Sequence, residues 1–204
     1  MFLDIGGGST ELALGDQSEH SYLESLKVGA VRLTTMFVKK PDAPVPDAVL
    51  AKMRKYVKSS LVRARKEVLQ GKVSLAFGSS GTIVNLGEIL MRHDSSSHPG
   101  VIRYSQLKKL VPYLAGMDLA ARRKVQGMNP DRADIIVAGA IILETAMDEL
   151  RLSEIAVSQR SMRDGMLQAT PHSTEPSVKT TMSAAVPAAP KSCCAVPTTA
   201  LPDG

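Results

Sequence analysis

The apolar positions begin as alternation. Phe2, Leu3 and Ile5 surround Asp4, three glycines follow, and Thr10 to Leu14 is again apolar-rich. Period-two runs separated by turn residues predict strands. Gly15-Asp16 is a second turn signal, and Tyr22 to Val28 alternates well enough for a third strand, so the chain opens as an antiparallel meander. The period then lengthens. A short helix is predicted at Val31 to Phe37, and Pro41, Pro44 and Pro46 punctuate a loop. Asp47 is placed to cap one long helix to about Gln70, with Leu50, Met53, Val57, Leu61, Ala64 and Val68 on a single stripe. Val73 to Phe77 reads as a buried strand, Gly78 to Thr82 as a second glycine loop, and Ile83 to Met91 as a helix. His93 to Gly100 is a polar loop, Ser105 can cap a helix through Leu114, and Gly116-Met117-Asp118 starts another short one. Asn129-Pro130 begins a helix running to about Leu150, with Asn as cap and Pro at the first position. That helix is apolar nearly all round and should be buried, and Ala138, Gly139 and Ala140 would let another backbone come close. Ile155 to Val157 is a short strand, and Met162 to Leu167 begins a last helix.

This order of elements predicts a mixed α/β domain over residues 1–168. From Ala169 to Gly204 the chain turns to Pro, Ala, Ser and Thr without periodicity, the composition of a disordered tail.

Composition narrows the function classes. The 204 residues carry a formal net charge of +5, which suits an anionic ligand or merely a solvated basic surface. Aromatics are 3% with no Trp, which argues against a single-strand nucleic-acid binder that stacks bases. Lys52, Arg54, Lys55, Lys58, Arg63, Arg65 and Lys66 give the helix after Asp47 a basic face, open to a polyanion or to water. The two cysteines, Cys193 and Cys194, are adjacent and have no zinc spacing, and a reducing cytoplasm fits them. The start of the chain lacks the features of a signal peptide. The most apolar run, Ile135 to Leu143, is far shorter than the ~20 residues a membrane span needs. His20, His93, His98 and His172 show no metal spacing, and no GxSxG elbow is present.

The sharpest feature is Asp4-Ile5-Gly6-Gly7-Gly8-Ser9-Thr10-Glu11. No GK[ST] follows, so it is not a Walker loop, and a strand follows the glycines, so it is not a dinucleotide loop. A turn of three glycines can adopt positive φ, admit a ligand without Cβ interference, and line up amides as an anion nest, with hydroxyls from Ser9 and Thr10 beside it. Asp4 and Glu11 flank the turn from adjacent strands, where carboxylates can hold Mg²⁺ against phosphate oxygens or orient water. The same residues also suit a plain hairpin with two exposed acids. Gly78, Ser79, Gly81 and Thr82 form the second loop, at a helix N-terminus suited to an anion.

The run Asp4 to Glu11 resembles a phosphate-loop motif of the exopolyphosphatase / guanosine pentaphosphate phosphohydrolase family. The resemblance continues through Leu26 to Leu33, Gly78 to Thr82, Asn129 to Gly139, and Ser158 to Gly165, and covers residues 1–168. Ser161 and Asp164 depart from the usual Gly and Glu of the closing motif. The resemblance implies one lobe of a two-lobed, actin-like (ribonuclease-H-like) fold of the sugar-kinase/actin superfamily, a mixed sheet flanked by helices. It implies Mg²⁺-dependent release of terminal phosphate from polyphosphate or guanosine pentaphosphate. Gly6, Gly7, Gly8, Ser9, Thr10, Gly78, Ser79, Gly81 and Thr82 would cradle phosphate, and Asp4 and Glu11 would hold metal and activate water. By the resemblance this chain corresponds to the second lobe. The first would bring another phosphate loop and the usual catalytic glutamate, from a separate chain or through self-association. A non-catalytic polyphosphate- or nucleotide-binding regulatory lobe, and a sugar-kinase-type ATPase lobe, are the alternatives.

Overall fold

A computed structural model describes residues 1–16, 19–71 and 73–158 of the chain. The helix expected at Met162–Leu167 and the tail from Ala169 lie outside them. Six strands form one mixed sheet in the order β3-β2-β1-β4-β6-β5. The opening meander is β1 (Phe2–Ile5), β2 (Thr10–Gly15) and β3 (His20–Leu26). β4 (Phe77–Ser79) lies parallel to β1, β6 (Glu154–Val157) lies parallel to β4, and β5 (Val101–Arg103) closes the other edge antiparallel to β6.

Register divides the sheet into two faces. Leu3, Ile5, Leu12, Leu14 and Leu26 are buried beneath the helices. Gly78 shares that side, where a Cβ would press on the side chains of Ile83 and Ile155. On the other side an apolar row crosses all six strands: Leu23, Ala13, Phe2, Phe77, Ala156 and Val101 are successive cross-strand partners. None of the six is buried, and Leu23 and Phe77 are exposed.

The helices are α1 (Ala30–Phe37), α2 (Asp47–Ser60), α3 (Val62–Gln70), α4 (Gly81–His93), α5 (Tyr104–Ala115), α6 (Leu119–Arg123) and α7 (Ile136–Glu149). As its composition requires, α7 is buried along almost its whole length and packs against α1, α2, α4 and α5. The small stretch near its N-terminal end does admit a neighbour: a Cβ on Gly139 would collide with the methyl of Thr82. Three members of the basic face on α2 and α3 are tied to α7, Arg54 to Glu144 at 2.8 Å and Lys58 and Arg65 to Glu149 at 2.6 and 3.4 Å.

Several boundaries differ from the sequence expectation, each for a local reason. The helix after Asp47 is two helices. Ser59 and Ser60 donate their hydroxyls to the Tyr56 carbonyl at 2.7 and 3.0 Å, which loosens the ladder at Leu61, yet Leu61, Ala64 and Val68 keep the buried stripe running. Pro46, not Asp47, is the N-cap of α2, so Asp47 acts on the helix dipole from the first turn. β4 begins at Phe77 rather than Val73, and Leu75 is 65% exposed, because the regular ladder forms only where β1 and β6 flank it. α5 is capped at Arg103, whose amide donates to the Gln106 side chain, so Ser105 lies inside the helix. The three-residue β5 is too short to carry a pattern. Asp118 caps α6, accepting from the Ala121 amide at 2.7 Å. Asn129-Pro130 opens a single 3-10 turn (Pro130–Arg132), and α7 starts only at Ile136. The Ala133 carbonyl, which an uninterrupted helix would give to Val137, accepts instead from Arg122 Nη1 at 3.0 Å. No helix among the described residues is long and apolar enough to cross a membrane.

Gly139→Ala should lower stability by about 1–3 kcal/mol, as overpacking in a filled core does, seen as a lower urea midpoint at unchanged slope. Adding Thr82→Ser, which deletes the colliding methyl, should restore most of the loss.

Candidate functional site

β1 and β4 are parallel neighbours, so the turns that follow them leave the same end of the sheet side by side. Ligands in open α/β sheets collect beyond the carboxyl ends of such strands. The first turn, Gly6 to Ser9, is closed by the Gly6 amide donating to the Ser9 carbonyl at 2.9 Å. Its carbonyls turn toward α1. The Ala30 and Arg32 amides donate to Gly6 and Gly7 carbonyls at 3.0 Å each, and Arg32 Nε donates to the Gly8 carbonyl at 2.9 Å. The helix N-terminus thereby satisfies two of its orphan donors. Gly7 and Gly8 are left exposed, and among the described residues their amides have no acceptor.

None of Gly6, Gly7 and Gly8 has positive φ. The turn is therefore not an alternating-hand nest, which corrects the sequence reading. The glycines serve close approach instead. A Cβ on Gly29 would run into the backbone of Gly7 and Gly8, one on Gly7 would lie 3.2 Å from Val31, and the Cβ direction of Gly8 is open.

A polar row crosses the sheet beside the turn. Ser25, Glu11, Asp4 and Ser79 are successive cross-strand partners on β3, β2, β1 and β4. Directly opposed residues share a face, so the two acids stand together. Ser79 Oγ donates to Asp4 Oδ2 at 3.0 Å, while Ser25 and Ser9 donate to Glu11 Oε1 at 3.0 and 2.6 Å. Each carboxylate keeps one oxygen clear of these bonds. Among the described residues no group of three metal-ligating side chains forms. Two carboxylates are nonetheless the protein share that Mg²⁺ commonly takes when phosphate oxygens and water complete its shell.

The second turn rests on Ser80, which the sequence reading passed over. Ser80 has φ 114°, a rare conformation for a residue with a side chain, and its Oγ accepts the Ile83 amide at 3.3 Å as the N-cap of α4. The first amides of α4, at Gly81 and Thr82, meet no acceptor among the described residues. Arg132 lies on this spot, its guanidinium packed so closely that a Cβ on Gly81 would collide with it. Among the described residues Arg132 has no carboxylate partner. A cation held over free amides at the positive end of a helix attracts an anion from two sides.

Besides Ser9 and Ser79, whose hydroxyls are given to Glu11 and Asp4, two more residues assigned to the cradle have other duties. The Thr10 hydroxyl points inward and donates to the Val28 carbonyl at 2.6 Å, so it is not available to a ligand. Gly78 lies within β4, and its missing side chain answers to packing. Behind Arg132, Arg122 is fully buried and donates to the carbonyls of Leu114, Met117 and Ala133. Burial pushes its guanidinium below the usual pKa, partly opposed by Asp118 and Asp134.

A mixed sheet flanked by helices, with two turns leaving one sheet end and paired acids on neighbouring strands, is the architecture of an actin-like lobe. The chain belongs to the Ppx/GppA phosphatase family, whose model matches residues 1–173. It is 32% identical over 169 residues to exopolyphosphatase 1 of Mycobacterium leprae, covering 81% of this chain and 49% of that protein. The Aquifex aeolicus Ppx/GppA phosphatase, in its type II variant, superposes with a TM-score of 0.70 at 25% identity, covering 82% of this chain and 55% of that one. An exopolyphosphatase from Cytophaga hutchinsonii gives 0.69 at 25% identity, with the same coverages. The chain thus spans about half the length of the relatives it matches.

Ser80→Ala should destabilise the protein by about 1 kcal/mol through loss of the cap. Ser80→Gly loses only a few tenths by the same measure and relieves a backbone strain of about 1–3 kcal/mol, so it should raise the urea midpoint.

Proposed function

We propose that this chain is the phosphate- and magnesium-binding half of an exopolyphosphatase-type phosphohydrolase. The substrate of that enzyme would be the terminal phosphoanhydride of inorganic polyphosphate or the 5′ phosphate of guanosine pentaphosphate. The observation that carries this reading is the adjacency of the two turns. The amides of Gly7 and Gly8, the amides of Gly81 and Thr82, and the Arg132 guanidinium converge on one sheet end. A single small anion needs only one such turn, whereas a chain of phosphates can use both.

In this reading the Gly7–Gly8 turn and the α4 N-terminus each hold a phosphoryl group, and Arg132 neutralises charge between them. Asp4 and Glu11 would hold Mg²⁺, which when bound supplies positive charge to the oxygens of the transferring phosphoryl group. Ser79 and Ser25 fix the two carboxylates through one oxygen each and leave the other oxygens for metal or water. Phosphoryl transfer asks mainly for such positioning and charge stabilisation, and these are what the lobe provides. The family's catalytic glutamate belongs to the half that this chain does not match, so turnover would require that half as well. A second reading is a non-catalytic lobe that binds polyphosphate or a nucleotide through the same turns and regulates a partner.

Asp4→Asn separates metal-assisted binding from simple anion binding. With Mg²⁺ present it should weaken tripolyphosphate binding at least tenfold by calorimetry. Without Mg²⁺ it should leave binding unchanged or tighten it, since a negative charge beside the anion is gone. Equal weakening in both conditions would discard the metal assignment. Phosphate release from polyphosphate in Mg²⁺, measured for the chain alone and after adding a first-lobe protein of the family, distinguishes the two readings: turnover that is lost in Asp4→Asn marks the enzyme, and binding without turnover in both assays marks the regulatory lobe.

A further inference from the structure

We propose that Asn85 and Arg122, neither of which can touch a ligand, are positioning residues that set Arg132 over the N-terminus of α4. This rests on the phosphate-binding reading of that helix end.

Arg132 sits on a turn that has no hydrophobic anchor of its own: none of the three residues Pro130–Arg132 is buried. Two buried polar side chains grip the turn from opposite sides. Asn85 is 2% exposed and stands on α4 four residues after Gly81, hence on the same side of the helix. Its Nδ2 donates to the Gly127 carbonyl at 2.6 Å and its Oδ1 accepts the Asn129 amide at 3.2 Å. Asn129 in turn caps the 3-10 turn, its Oδ1 accepting the Asp131 amide at 3.0 Å. From Gly81 to Asn85, across to Asn129, on to Arg132 and back onto Gly81, the path is a closed ring through one helical turn. Gly127 lets the loop lie that close. Its φ is +82°, and a Cβ there would stand 2.6 Å from the Glu88 carbonyl oxygen.

Arg122 grips the far end. Its Nη1 holds the Ala133 carbonyl at 3.0 Å, one residue beyond Arg132, while Nε and Nη2 hold the Leu114 and Met117 carbonyls at 3.0 and 2.8 Å. A buried guanidinium whose hydrogen bonds all go to neutral carbonyls, with Asp118 and Asp134 only partly offsetting its burial, is an unusual choice for mere stability, since burying a charge is costly unless it is compensated. Its effect on the site is specific. By taking the Ala133 carbonyl it delays the start of α7 until Ile136, which leaves Arg132 on a turn. A carboxylate in the place of those carbonyls would have supplied a competing acceptor beside Arg132.

The test is a double-mutant cycle on the full 204-residue chain, read as tripolyphosphate affinity by calorimetry well below the melting temperature. Arg132→Ala should weaken binding at least tenfold. Asn85→Ala should weaken it at least fivefold in the wild-type background and less than twofold in the Arg132→Ala background. Arg122→Lys, which keeps the charge but loses the three-way fork, should behave as Asn85→Ala does and serves alone if Asn85→Ala does not fold. Loss by the same factor in both backgrounds would show general loosening and overturn the proposal. So would folded variants that bind like the wild type while Arg132→Ala binds weakly, and that result would leave the binding reading intact. No effect of Arg132→Ala would overturn both.

Discussion

The parallel pairing of β1 with β4 is the constraint from which the site follows. The residues it joins are about 75 positions apart in the chain, and only parallel alignment makes their two turns leave the sheet at the same end. Reversing either strand would put the glycine turn and the α4 N-terminus at opposite ends of the molecule. The pairing also sets Ser79 opposite Asp4, so one register fixes both the separation of the two turns and the partner of the acid between them. The helices hold this alignment from one side. α4 and α7 pack on β1, and the closest approach is where Gly139 admits Thr82, the residue whose amide opens toward the site.

The first turn shows how orientation, rather than residue type alone, makes a backbone attractive to an anion. Peptide units are dipoles, and a turn that points carbonyls and amides both outward would be neutral to a ligand. Here α1 absorbs the carbonyl side, with Arg32 helping, and only amides remain outward at Gly7 and Gly8. Gly29 is the residue that makes this possible, because any side chain there would hold α1 away from the turn.

Much of this was legible in the chain. Alternation around the triple glycine predicts the meander and places Asp4 and Glu11 on facing strands, and the all-apolar stretch after Asp134 predicts a buried helix. What was not legible depends on partners distant in sequence. Arg132 over Gly81 joins residues about 50 apart, and nothing local to either announces it. Ser25 resembles any surface serine until β3 aligns it with Glu11. Thr10 and Gly78 sit within motifs that suggest ligand contact, but strand alternation turns one inward and packing claims the other. The sign of φ at the glycines could not be read at all, since glycine accepts either. Ser80 could have been suspected as a cap, being a serine at the start of an apolar helix, although its backbone conformation could not.

The unpaired burial of Arg122 separates two kinds of cohesion in the molecule. Glu144 and Glu149 bind α2 and α3 to α7 through charge. Arg122 depends for its hydrogen bonds on backbone carbonyls, which carry no net charge. Added salt therefore weakens the hold on the basic helices, whose cationic side chains are partly exposed, more than it weakens the buried bonds that fasten the turn carrying Arg132. Which parts of the molecule feel ionic strength is written into which cations were given carboxylates and which were given backbone carbonyls.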